Sequence, residues 1–120
     1  MYTVQRCEET QMQFEDLITR ALEIREQYAG LERRTYGRAW TTEEIALGFV
    51  GDVGDLAKLV MAAGGVRHVL DAEQKLAHEL ADCLWSILVL ADRLDVDLEA
   101  AFLETMDQLE RQIAPEPHGN

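Results

Sequence analysis

Four acidic residues form two closely spaced pairs within apolar segments of this chain, Asp52-x-x-Asp55 and Glu79-x-x-Asp82. Residues three apart share one face of a helix, so each pair places two carboxylates side by side. Burying a carboxylate costs several kcal/mol unless its charge is compensated, and four that face one another therefore need a cation. The set offers only hard oxygen ligands, with no His or Cys among them, which favours Mg²⁺ or Mn²⁺ over zinc.

A solvated acidic surface is the competing interpretation of these pairs. The chain has 23 acidic residues, so pairs with this spacing also arise by chance. The position of Asp52 and Glu79 on their helices argues for a metal site instead. With about 100° of rotation per residue, Asp52 and Glu79 project at the edges of the apolar faces of their helices. This placement favours a metal site and leaves the solvated surface as an open alternative.

Four predicted helices account for nearly all of the chain. They run from about 8 to 31, from Thr41 or Thr42 to Gly64-Gly65, from Asp71 to about Leu94, and onward from Asp97. Thr41-x-x-Glu44 is typical of a capping box, and Asp71-x-x-Gln74 and Asp97 are further caps. The short connection between the second and third helices predicts antiparallel neighbours, so that the two acidic pairs face each other.

The fold class predicted from these elements is all-α, a four-helix bundle formed by one domain over 1–113 with a flexible tail over 114–120. The last helix is expected to point Leu98, Ala101, Phe102, Met106 and Leu109 inward. The third helix is apolar around most of its circumference, with Trp85 and Val89 opposite its main stripe. A chain of 120 residues has little material to cover both sides, so we expect a second subunit to complete the bundle.

Composition excludes several classes of function. The net charge of −12 argues against binding a nucleic acid polymer or a membrane surface, because phosphates would be repelled. The most apolar run, 80–91, is shorter than the ~20 residues that a membrane span needs. The first residues lack an apolar signal core. Cys7 and Cys83 are far apart in sequence, and we expect reduced thiols in a cytoplasmic protein.

Three segments resemble one known family. Residues 48–57 (Gly-Phe-Val-Gly-Asp-Val-Gly-Asp-Leu-Ala), 79–85 (Glu-Leu-Ala-Asp-Cys-Leu-Trp) and 90–98 are similar to the motifs of the all-α nucleoside triphosphate pyrophosphohydrolases, the MazG-like and dCTP-pyrophosphatase-like proteins. The resemblance covers about 40–111. It implies a MazG-like helical bundle that works as a homodimer or homotetramer. It also implies Mg²⁺-dependent hydrolysis of a nucleoside triphosphate to the monophosphate and pyrophosphate, in the clearance of unwanted nucleotides.

The resemblance also implies roles for individual residues. The metal-binding and catalytic carboxylates map onto Asp52, Asp55, Glu79 and Asp82. Bound phosphates also require fixed positive charge, and a base can stack on aromatic rings. The candidates for substrate binding, each of which could instead be solvated surface, are Arg33, Arg34, Arg38, Trp40, Lys75 and Arg93, with Tyr36 as a further aromatic candidate.

Two other interpretations stay open. Thr105 and Leu109 stand where many relatives have the Lys and Asn that help to hold substrate, so the chain could bind a nucleotide or metal without turnover. It could also be a structural helical dimer whose acids are solvated. His78 is expected to project away from the acidic face. Gly51 and Gly54 are expected to allow close approach of another helix or of a ligand.

Overall fold

A computed structural model describes residues 12–65 and 68–114, and these contain four α-helices and no strand. The helices are α1 (Phe14–Tyr36), α2 (Thr42–Ala63), α3 (Ala72–Arg93) and α4 (Leu98–Ile113). The predicted all-α class with four helices is therefore confirmed. Cys7, the predicted helix start near residue 8 and nearly all of the predicted tail lie outside the described residues.

Side-chain caps fix the starts of two helices as the sequence predicted. The Glu44 N–H donates to Thr41 Oγ1 over 3.2 Å, and the Thr41 N–H donates to Glu44 Oε1 over 2.9 Å, which completes the capping box of α2. Asp97 accepts from the Ala100 N–H over 3.1 Å at the start of α4. The predicted cap of α3 is wrong, because Asp71 takes a φ of 57° and its side chain makes no capping hydrogen bond.

The first helix ends later in the chain than its sequence suggests. α1 continues through Gly30 to Tyr36 and ends at Gly37, whose φ of 85° directs its N–H to the carbonyl of Arg33 over 3.0 Å. The predicted helix end near residue 31 is wrong. A helical glycine costs only about 0.5–1 kcal/mol, and the burial of Ala29 before it and the pairing of Glu32 with Arg25 after it hold the helix together on both sides of Gly30.

The packed body consists of α3 with α2 and α1 against it, and α2 makes the more extensive contact. The buried apolar residues are Ala21, Ala29, Ile45, Leu59, Cys83, Leu88 and Val89. The Trp85 indole N–H donates to the carbonyl of Ala21 over 3.0 Å, which joins α3 to α1. Two faces of α3 are therefore covered by the same chain, and the burial of Trp85 and Val89 needs no second subunit. A third face remains open at Leu80, Leu84 and Ile87.

The last helix does not join this body as predicted. Every residue of α4 after Leu98 is exposed, including Phe102 at 57% and Leu109 at 47% of full accessibility. The prediction that its apolar face points inward within one chain is wrong, because an amphipathic pattern shows that a face is apolar without showing what covers it. The radius of gyration of 18.8 Å exceeds the roughly 14 Å of a compact chain of this length.

Candidate metal and nucleotide site

The four predicted carboxylates lie on the facing sides of α2 and α3. Single carboxylate oxygens of Asp52, Asp55 and Glu79 lie within 4.8 Å of one another. Asp82 belongs to a second group, in which one atom each of His78, Glu79 and Asp82 meets the same limit. The two helices are antiparallel, as predicted, and Glu79 is common to both groups.

Burial and mutual repulsion make this cluster electrostatically unfavourable. Burial raises the pKa of Asp52, and the charges of Asp82 and Asp55 raise that pKa further. Burial likewise raises the pKa of Glu79, with added contributions from Asp52, Asp82 and Asp55. The free thiol of Cys83 is buried beside the same charges, and its pKa is raised in turn, mainly by that burial. A bound cation would remove this repulsion.

One oxygen of the cluster identifies where a cation fits. Glu79 Oε1 is buried and has no hydrogen-bond partner among the described residues, an arrangement that ordinarily costs about 1–3 kcal/mol or more. Oxygens bound to one Mg²⁺ lie at most about 4.2 Å apart, twice the metal–oxygen distance of about 2.1 Å. The limit of 4.8 Å on the separations of the Asp52, Asp55 and Glu79 oxygens is close to that distance. The donor set is all oxygen, as Mg²⁺ and Mn²⁺ prefer.

His78 takes part in this region, which the sequence did not predict. Its Nε2 lies 3.2 Å from Asp82 Oδ2, across one helical turn, although the imidazole is 73% exposed. The expectation that His78 projects away from the acidic face is therefore wrong. A rotation of about 100° per residue places positions four apart only about 40° apart, so the pair was recoverable from spacing.

An aromatic cleft opens beside the carboxylates. It has a volume of about 430 Å³, and we call it the aromatic cleft; its lining consists of Arg25, Tyr28, Leu31, Glu32, Thr35, Tyr36, Trp40, His78, Asp82 and Trp85. The rings of Tyr28 and Trp85 are tilted at 51° with centroids 5.7 Å apart. The aromatic cleft is therefore adjacent to the carboxylate cluster, and Asp82 belongs to both.

The backbone of Trp40 is held from both sides. Glu32 accepts from the Trp40 N–H over 2.9 Å, and the Arg93 guanidinium donates to the Trp40 carbonyl over 3.3 Å. Arg93 therefore ties the end of α3 to the start of α2, and it lines none of the clefts around the carboxylates. Trp40 lines the aromatic cleft and a smaller one that contains Asp52 and Asp82.

Arg25 is a further residue of this region that was not predicted from the sequence. It is buried on α1, pairs with Glu32, and lines both clefts that contain Asp82 and Trp40. Burial alone would raise the pKa of Glu32, but the hydrogen bonds from Arg25 and from the Trp40 N–H outweigh it and leave that pKa lowered. Arg25 lies between Ala21 and Ala29 at intervals of four residues, so its place on a buried face was visible in the spacing.

The other predicted substrate contacts divide into two groups. Lys75 lines a cleft with Asp55 and Glu79, and so does Lys58, which the sequence analysis did not name. Three predicted arginines lie elsewhere. Arg33 pairs with Glu26 over 3.0 Å. Arg34 lines a cleft that holds none of the four carboxylates. Arg38 forms a bidentate pair with Glu44 at 2.7 and 2.8 Å.

Gly51 and Gly54 face open space. A Cβ built on either residue would meet no atom within 4 Å among the described residues. Their predicted role in close approach therefore finds no partner helix within the described part of this chain.

Compared with protein-family models, with curated protein sequences and with solved structures, the chain gives no match. The functional argument therefore depends on the residues and their geometry. No helix in the described part of the chain has the length and apolar content that crossing a membrane requires.

Proposed function

We propose that this protein is a divalent-metal-dependent nucleoside triphosphate pyrophosphohydrolase. The observation that carries the proposal is the convergence of Asp52, Asp55 and Glu79 within 4.8 Å, with a buried, unpartnered oxygen on Glu79. An uncompensated cluster of this kind is costly in a small protein, and such clusters are typical of functional sites.

Asp52, Asp55, Glu79 and Asp82 would hold the metal, with Mg²⁺ as the expected ion and Mn²⁺ as a substitute. When bound, the ion supplies neutralisation of phosphate charge and a lowered pKa for the attacking water. The residues of the chain orient the ligand and accept the proton.

The reaction is a displacement at the α-phosphorus. The water oxygen bonds to that phosphorus, and the water proton passes to a carboxylate of the cluster. The bond from the α-phosphorus to its bridging oxygen breaks, and the electron pair leaves with pyrophosphate. The products are the nucleoside monophosphate and pyrophosphate.

The aromatic cleft supports a nucleoside as the remainder of the ligand. Its volume of about 430 Å³ falls within the roughly 300–1,000 Å³ of small-molecule sites. Trp40 and Tyr36 are 41% and 72% exposed, so their rings are available to a base. Stacking of a base on an aromatic ring contributes about 1–3 kcal/mol.

A homodimer completes the fold in this proposal. α4 leaves Phe102, Met106 and Leu109 exposed, and α3 leaves Leu80 and Leu84 exposed. A second copy fits because each chain supplies both apolar faces, as a two-fold interface requires. Light scattering should give about twice the chain mass of 13.6 kDa. Phe102→Glu should yield monomers, whereas Gln108→Glu on the same helix should not. A wild-type mass of one chain would contradict the dimer.

Nucleotide binding without turnover is the second candidate. It is favoured by the position of α4, none of whose residues lines any of five clefts in the described part of the chain, including those that contain the four carboxylates. Thr105 and Leu109 lie outside these five clefts.

A nucleotide panel tests both candidates. The purified protein is incubated with ribo- and deoxyribonucleoside triphosphates in Mg²⁺ or Mn²⁺, and pyrophosphate is measured. The proposal predicts release from at least one nucleotide and its loss in Asp82→Asn, with Asp107→Asn on α4 as the matched control. Binding without product would support the second candidate. A melting temperature indifferent to metal and nucleotide would instead support a structural helical dimer.

A further inference from the structure

Lys58 and Lys75 are the only lysines in the 120-residue chain. Both line one cleft of about 420 Å³, the lysine cleft, formed by the second half of α2 and the first turns of α3. The complete lining is Asp55, Lys58, Leu59, Val69, Gln74, Lys75, His78 and Glu79. The cleft therefore shares Asp55 and Glu79 with the carboxylate cluster.

Helix geometry shows how the charged side chains are distributed along the groove between α2 and α3. Lys75 precedes Glu79 by four residues and Asp82 by seven, which at about 1.5 Å per residue are distances of about 6 and 10 Å along the axis. On the antiparallel partner, Lys58 follows Asp55 by three residues. Positive charge thus lies at one end of the α2–α3 groove, the carboxylates at its middle, and the aromatic cleft beyond Asp82.

Simple neutralisation of the acids does not account for the two lysines. Among the described residues, neither ammonium group has a carboxylate oxygen within 4.0 Å, although six other ion pairs meet that limit. Both lysines are exposed, and both remain available to a ligand. Each offers three donors and a compact positive charge, which suit terminal phosphates.

We propose that the lysine cleft binds the pyrophosphate end of the ligand, so that the α-phosphorus lies at the carboxylates and the base lies in the aromatic cleft. This inference rests on the proposed function and deepens it by assigning an orientation to the substrate. It also assigns Lys58 a role in binding the leaving group. Pyrophosphate, once released, would lie at the open lysine end and depart without passing the base.

Calorimetric titration with inorganic pyrophosphate and Mn²⁺ tests the assignment. We expect Lys58→Gln/Lys75→Gln to weaken pyrophosphate binding by about a hundredfold or more, since the loss of one charge-assisted hydrogen bond weakens binding by about tenfold or more. The control Arg111→Gln removes a positive charge from a side chain of α4 that is 67% exposed and lies outside the lysine cleft. Its affinity should stay close to that of the wild type.

Acetylation provides a second measurement that does not depend on turnover. Because the chain has only two lysines, mass spectrometry after brief treatment with an amine reagent reports on each of them separately. Pyrophosphate with Mn²⁺ should protect both lysines, whereas a nucleoside should protect neither.

The outcomes separate this inference from the proposed function. Three results would overturn the orientation even if the nucleotide panel shows hydrolysis. These are equal pyrophosphate affinity in the lysine and arginine variants, no pyrophosphate binding by the wild type, and lysines that pyrophosphate does not protect. Protected lysines and lysine-dependent binding in a protein that hydrolyses no nucleotide would retain the subsite and overturn the hydrolysis.

Discussion

Neutralising one carboxylate of the cluster should stabilise the metal-free protein. Asp52→Asn keeps the size of the side chain and removes its charge. Asp52 has an oxygen within 4.8 Å of oxygens of both Asp55 and Glu79. One such pair repels by about 1 kcal/mol in water and about 3.5 kcal/mol at an effective dielectric constant of about 20. Because Asp55 is exposed, we expect a net gain of about 1–3 kcal/mol.

Thermal denaturation in a chelator measures this gain. Each kcal/mol raises the melting temperature of a domain near this size by about 4 °C or more. The control Asp107→Asn makes the same change on exposed α4, where a surface substitution changes stability by no more than about 0.5 kcal/mol. The gain should shrink as the pH falls. The pKa values of Asp52 and Glu79 are raised in the fold, so protonation there relieves the wild-type repulsion.

Bound metal should reverse the order of the melting temperatures of the wild type and Asp52→Asn. At a Mg²⁺ or Mn²⁺ concentration of about 1,000 times Kd, a site present only in the native state adds about 4.1 kcal/mol of stability, which exceeds the advantage of about 1–3 kcal/mol expected for the metal-free variant. The wild type should gain this stability from metal binding, whereas Asp52→Asn should gain only a small part of it. A metal-free variant that melts below the wild type, together with an unchanged response to metal, would refute the electrostatic reasoning.

Three further predictions concern the frame around the site. Glu32→Gln should lower the free energy of unfolding measured in urea by about 3 kcal/mol, because it leaves Arg25 buried without its counter-charge. A loss under about 1 kcal/mol would show that the pair is not buried in solution. Thr41→Ala should cost about 1 kcal/mol in the same assay through the lost cap of α2, and an unchanged midpoint would contradict the capping box. The hydrogen bond from Arg38 is the main cause that lowers the pKa of Glu44 to about 2 from its ordinary 4.5. The stability this pair contributes is full above about pH 4.5 and declines as the pH falls towards about 2. Arg38→Gln should therefore flatten the acid limb of a stability–pH curve measured by circular dichroism, and an identical limb would contradict the pairing.

Local patterns predicted the elements that present the carboxylates. The capping box of α2 and the short connection after α2 are properties of neighbouring residues, and they sufficed to place Asp52 and Asp55 opposite Glu79 on antiparallel helices. Lys58 was also within reach of this reasoning, because it continues the three-residue spacing of Asp52 and Asp55 along one face.

Pairings between distant segments were beyond the sequence patterns. The hydrogen bond from Trp85 to the Ala21 carbonyl, and that from Arg93 to the Trp40 carbonyl, depend on how α3 meets α1 and the segment before α2. The open position of α4 depends on which surface covers Phe102. Periodicity identifies a buried or apolar face, but it carries no information about the partner of that face.

Titration of Mn²⁺ followed by electron paramagnetic resonance tests most directly whether the carboxylate cluster is a metal site. The free-ion signal should fall as wild-type protein is added, and Glu79→Gln should abolish that fall because it removes the negative charge of the carboxylate common to both groups and replaces one of its two oxygens with an amide nitrogen. Glu110→Gln on α4 serves as the matched control and should bind as the wild type does. Equal Mn²⁺ binding by wild type and Glu79→Gln, or none by the wild type, would contradict the metal site and the hydrolysis proposed from it.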